Sequence, residues 1–66
     1  MNATQYYLTG TVHMLRSERE ARTMSTNAKP SVVRQDRDGT WNVYFLDTKP
    51  RQKGQSPFML RKGEAA

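Results

Sequence analysis

Residues 31–46 read Ser-Val-Val-Arg-Gln-Asp-Arg-Asp-Gly-Thr-Trp-Asn-Val-Tyr-Phe-Leu, and the reading of this stretch decides the fold. Two runs rich in β-branched and aromatic residues, 31–35 and 40–46, flank Asp36-Arg37-Asp38-Gly39. Gly39 can take the positive φ that a tight reversal needs and Asp38 tolerates the bend, so the stretch reads as a β-hairpin. A three-residue loop with Gly39 as its bulge residue would pair Val33 with Val43 and Gln35 with Trp41. A four-residue loop would shift the pairing by one. The first register is favoured because it sets Val33 under the face formed by Trp41, Val43 and Phe45, leaving Asn42, Tyr44 and Leu46 on the other side.

Upstream, residues 5–16 alternate as a strand does: Tyr6, Leu8, Val12 and Met14 share one face, and Tyr7, Thr9, Thr11, His13 and Leu15 the other. Gly10 in the middle marks a bulge or bend. Ser17 followed three residues later by Glu20 has the form of a capping box, and Glu18 stands four residues before Arg22 in the favoured order for a helical ion pair. A short helix near residues 18–25 is therefore expected, with Ala21 and either Met24 or Leu15 as its narrow apolar stripe. An exposed loop or charged edge strand is the competing reading. Pro30 ends any helix before Lys29.

Downstream, residues 47–56 hold no apolar side chain and include Pro50 and Gly54, the pattern of an exposed loop. Phe58-Met59-Leu60, entered from Pro57, reads as a last, edge-type strand. The expected architecture is mainly β: a small four-stranded antiparallel sheet or curled barrel, with the helix as an α+β variant.

Length sets the energetic frame. A chain of 66 residues makes one domain, 1–66, with 1–4 and 63–66 read as frayed ends. A domain this small buries only about 60% of its unfolded surface. It has no cysteine and a single histidine, so neither a disulfide nor a zinc knot can staple it. Self-association into a homo-oligomer, or a partner, is the expected remedy. The start of the chain lacks the pattern of a signal peptide and no run has the length of a membrane span, so a cytoplasmic location and no membrane partner are expected.

Eleven basic against six acidic residues give a net charge of +5, which favours anionic partners. Lys49, Arg51 and Lys53 alternate in the loop and Arg61 and Lys62 follow the last apolar run, so most of the excess lies in the final third.

Catalytic chemistry finds little to stand on. Asp36 and Asp38 are what the turn itself calls for, His13 has no second ligand-type residue beside it, and no serine sits in a nucleophile elbow. No phosphate-cradling glycine loop, cofactor motif or metal-ligand spacing occurs. A non-enzymatic binding protein without metal or cofactor is expected. Nucleic-acid binding combines a cationic groove with aromatic rings on which bases stack. Lys49, Arg51, Lys53, Arg61 and Lys62 are the candidate phosphate or acidic-partner contacts, extended by Arg34 and Arg37 along the hairpin. Tyr44 and one of Tyr6 or Tyr7 are the stacking candidates, because Trp41 and Phe45 are needed in the core. The alternative is an accessory protein of phage or mobile-element type that inhibits or modulates a host protein, such as a nucleic-acid-processing complex. Its route would be strand addition along β-strand one or residues 58–60.

Overall fold

A computed structural model describes residues 4–66; of the end expected to fray at 1–4, residues 1–3 lie outside the described part. The chain runs β1 (Tyr7–Leu15), α1 (Glu18–Thr26), β2 (Ser31–Gln35) and β3 (Trp41–Asp47). The three strands form one open sheet in the order β1-β3-β2, with β3 antiparallel to both neighbours.

The hairpin forms in the favoured register, with Val33 opposite Val43 and Gln35 opposite Trp41. Asp36 N donates to Thr40 O at 2.8 Å and Gly39 N to Asp36 O at 3.0 Å, with Gly39 at φ 88°. Both aspartates shape the turn. Asp36 Oδ1 accepts from Arg37 N, and Asp38 Oδ1 accepts from the amide and hydroxyl of Thr40, which hold the Asp38 carboxyl below its ordinary value.

The helix begins where the capping pattern placed it. Glu20 N donates to Ser17 Oγ at 3.2 Å, and Arg22 pairs with Glu18 at 2.9 Å. Such an exposed i,i+4 pair contributes only ~0.3–0.5 kcal/mol, so packing holds the helix in place. Ala21 is fully buried, Met24 is half-buried, and Ser25 is fixed to Ser31 across the helix–sheet junction. Ser31 Oγ donates to Ser25 O at 2.7 Å and lies 2.6 Å from Ser25 Oγ, so both buried hydroxyls are satisfied. Val43 at 0% exposure is the centre of the helix-side core.

β1 departs from simple alternation at two bulges. Its register shifts between Leu8 and Gly10 and again between Val12 and Leu15. Leu8 opposes Leu46 on the face away from the helix, whereas Gly10, Val12 and Leu15 oppose Phe45, Val43 and Trp41 on the helix side. The expected shared face of Leu8, Val12 and Met14 is therefore split. The first bulge sits beside Gly10, as its position suggested. The second has Met14 at φ 64° with its side chain turned to solvent, and Asn42 Oδ1 accepts from Met14 N at 3.2 Å to hold it there.

The expected fourth strand and the curled barrel are not formed. Residues 58–60 contribute one isolated bridge, Phe58 to Tyr6. Pro57 has no N–H to give a ladder, Met59 is 78% exposed, and Arg34 occupies the Met59 carbonyl that a strand partner would need. Instead residues 55–66 run as an irregular strap over the face of the sheet opposite α1.

Candidate nucleic-acid interface

The cationic loop leads directly out of β3 and is shaped by its two ends. Asp47 Oδ1 accepts from Thr48 N at 2.7 Å and Lys49 N at 3.4 Å, bending the chain away from the sheet. At the far end Gln55 accepts from Arg51 N at 2.8 Å and donates to Leu8 O at 2.9 Å, so it ties the loop to the edge of β1. Between these anchors Lys49, Arg51 and Lys53 are all exposed.

The strap then crosses from β1 to β2. Phe58 N donates to Tyr6 O at 2.7 Å, and its ring packs on Tyr44 with centroids 5.6 Å apart. Arg34 clamps the rest of the strap to the sheet. Its Nε and Nη2 grip the two oxygens of Glu64 at 2.8 and 2.7 Å, and Nη2 also donates to Met59 O at 2.9 Å. The guanidinium lies 4.8 Å from the Phe58 ring centre and 5.4 Å from that of Tyr44. With side chains only 15% and 18% exposed, this fork-to-fork pair is shielded well beyond a surface ion pair. Arg34 accordingly holds the Glu64 carboxyl down to about 2, aided by Arg61 N at 2.6 Å, while Glu64 raises Arg34.

The contacts proposed from sequence fall in four places. Arg61 and Lys62 are exposed on the strap beside Glu64, at the β2 side, whereas Lys49, Arg51 and Lys53 leave from the β1 side. Arg37 is exposed at the hairpin tip. Arg34 and Tyr44 belong to the clamp: one has its charge matched by Glu64, and the other has its ring against both Phe58 and Arg34, with His13 edge-on at 6.3 Å. Tyr6 and Tyr7 are half-buried, and Tyr7 OH donates to Gln5 Oε1 at 3.3 Å. Trp41 lies under Arg22 on the helix side at 5.8 Å.

Among the described residues, ion pairs form at Arg22 with Glu18 and Arg34 with Glu64. Among the described residues the five cations of the final third have no acidic partner within 4 Å, and neither do Arg16, just before α1, and Arg19 in its first turn, which composition alone did not single out. Gln55 and Glu64, which hold the loop and the strap, were also missed, since one reads as loop polarity and the other as a tail residue. His13 Nδ1 meets Asn42 Oδ1 at 3.3 Å rather than an aspartate. No group of three or more His, Cys, Asp or Glu is placed to hold a metal among the described residues, and no helix among them is long and apolar enough to cross a membrane.

No protein family, curated protein or solved structure matches the chain at a significant level. Function must therefore be argued from this geometry.

Proposed function

We propose that the protein binds nucleic acid through its C-terminal third, without catalysis. The carrying observation is the contrast among its cations. Arg22 and Arg34 are matched by carboxylates, while Lys49, Arg51, Lys53, Arg61 and Lys62 stand exposed and form no ion pair among the described residues. Exposed, unmatched cations on both sides of a three-stranded sheet suit a polyanion that runs across it, because each phosphate neutralised releases condensed counterions. Arg37 extends the reach at the hairpin tip. Arg34 and Tyr44 support this surface by fixing the strap that carries Arg61 and Lys62.

The test is a salt titration with single-stranded and duplex oligonucleotides. Replacing Lys49, Arg51 and Lys53 together by glutamine should lower the slope of log affinity against log salt by about 2. Replacing Arg19, which stands on α1 on the face of the sheet away from the strap, should leave the slope nearly unchanged. Absence of any association at low ionic strength would sink the proposal.

A further inference from the structure

The two edges of the sheet are finished differently. On β1, bulges at Thr9 and at His13–Met14 interrupt the edge, and the strap takes the outward carbonyls of Tyr6 and Leu8. Bulges and covered ends are how edge strands are kept from pairing with other chains. β2 has no bulge and holds one register with β3 along its whole length.

Its free groups are set by parity. Antiparallel residues alternate between pointing their N–H and C=O at the partner strand and away from it. Leu46 N donates to Pro30 O and Asp36 N to Thr40 O, so the even-numbered residues of this segment face β3. Ser31, Val33 and Gln35 therefore face outward. Lys29 Nζ caps the Ser31 carbonyl at 3.1 Å, and the backbone groups of Val33 and Gln35 have no partner among the described residues. Beside them lies a cavity of about 280 Å³, floored by Ser31, Val32 and Val33 and walled by α1 on one side and Glu64–Ala65 on the other. Its one acidic side chain, Glu64, is already matched by Arg34, which leaves Lys29 as the unmatched charge at its rim.

We propose that the β2 edge and this groove receive an extended segment of a protein partner, which adds as a fourth strand and sets an acidic side chain beside Lys29. The Val33 amide and carbonyl supply main-chain pairing, and the alternate side chains of the segment supply selectivity. An incoming carboxylate offers Lys29 a better partner than a neutral carbonyl. Moving Lys29 to it frees the Ser31 carbonyl for the new ladder, so the lysine acts as a removable cover. A second copy of β2 fits less well. Antiparallel pairing centred on Val33 would set Lys29 of each copy opposite Arg37 of the other, like charges face to face. The groove shares its Glu64 wall with the strap that carries Arg61 and Lys62, while Lys29 and the outward groups of Val33 lie outside the proposed nucleic-acid contacts.

The probe is the peptide acetyl-Thr-Thr-Val-Thr-Glu-amide, added to the isotope-labelled full chain and followed by amide chemical shifts. Shifts should gather at residues 29–36, with slowed hydrogen exchange at Val33. A lysine in place of the peptide's glutamate should weaken binding about threefold or more. Val33→Pro removes the outward donor and leaves the β3 ladder intact, so it should keep the folded spectrum and lose the peptide. Lys29→Gln gives a second reading that needs no backbone change: the preference for glutamate over lysine in the peptide should vanish. Unaltered binding by folded Val33→Pro, a glutamate preference surviving in Lys29→Gln, shifts centred on β1 or the basic loop, or no shift at about 5 mM peptide would each overturn the proposal. So would a dimer in sedimentation that Val33→Pro dissolves, because the edge would then belong to self-pairing.

Discussion

The two faces of the sheet are closed by different chemistry. On the helix side, Ala21 and Val43 are fully buried and the buried hydroxyls of Ser25 and Ser31 satisfy each other. On the other side the described residues form no second helix. An irregular strap is held by one guanidinium that grips a carboxylate and a carbonyl and packs against two aromatic rings. The difference teaches how so short a chain divides its means. Apolar burial serves both faces, with Ala21 and Val43 on the helix side and Val32 and Leu46 on the strap side, and only the strap side adds a directional polar clamp to it. The first face should respond to changes of size, the second to changes of charge.

The harshest test breaks the clamp. Arg34→Ala leaves the shielded Glu64 carboxylate without its partner, frees the Met59 carbonyl and removes the contact with both rings. A loss of about 3 kcal/mol in urea unfolding is expected, the lower end for breaking a buried pair because both groups keep some exposure. A loss below about 1 kcal/mol would rank the clamp with ordinary surface ion pairs and dissolve the contrast. Next in size is the helix side. Val43→Ala at a fully buried site should cost about 2 kcal/mol, and by nearly the same amount at neutral and acid pH, since no titrating group is touched.

Glu64→Gln sharpens the distinction through pH. The folded carboxyl sits at about 2 against an ordinary 4.5, so the charged form is favoured by folding. Its contribution is complete above about pH 4.5 and is lost as pH falls toward 2. Stability of the parent should therefore decline through that window, and Glu64→Gln, with no proton to take up there, should show a shallower decline. At neutral pH the substitution should cost about 1.5 kcal/mol, half or less of the Arg34 loss, because a neutral acceptor remains in the fork. An unchanged acid profile would mean that Glu64 does not carry the dependence.

The same division explains what could be read from the chain beforehand. Hairpin register and helix start were legible because each rests on neighbouring residues: Asp36 to Gly39 for the turn, Ser17 to Glu20 for the cap. The clamp was not, since Arg34 and Glu64 meet across 30 residues and nothing local marks Glu64 as more than a tail carboxylate. Arg34 and Tyr44 looked like binding groups because their partners lie in the strap. The fourth strand failed for a related reason. Residues 58–60 look extended and apolar, but whether they join a ladder depends on what Pro57 withholds and on where Arg34 sends its third hydrogen bond. Of the candidate interface, the exposure of the basic loop was legible from composition; its anchoring through Gln55 to Leu8 was not.

The smallest effect concerns the residue that lets β1 serve both faces. Without the extra residue at the second bulge, alternation would send Met14 to the helix side and Leu15 away from it. With the bulge, Leu15 packs opposite Trp41 and Met14 turns out to solvent, 71% exposed, in a left-handed conformation at φ 64°. That conformation costs a residue with a Cβ about 1 kcal/mol, and glycine is spared it. Glycine also gains freedom in the unfolded chain, which returns part of the difference. Met14→Gly should therefore stabilise by about 0.5 kcal/mol, a rise of roughly 3 °C in Tm for a domain of this size. Little burial is lost, and the Asn42 bond to the residue 14 amide needs no side chain. A fall in Tm would show that Met14 makes a contact worth more than its strain, and that the bulge is held by its side chain as well as by Asn42.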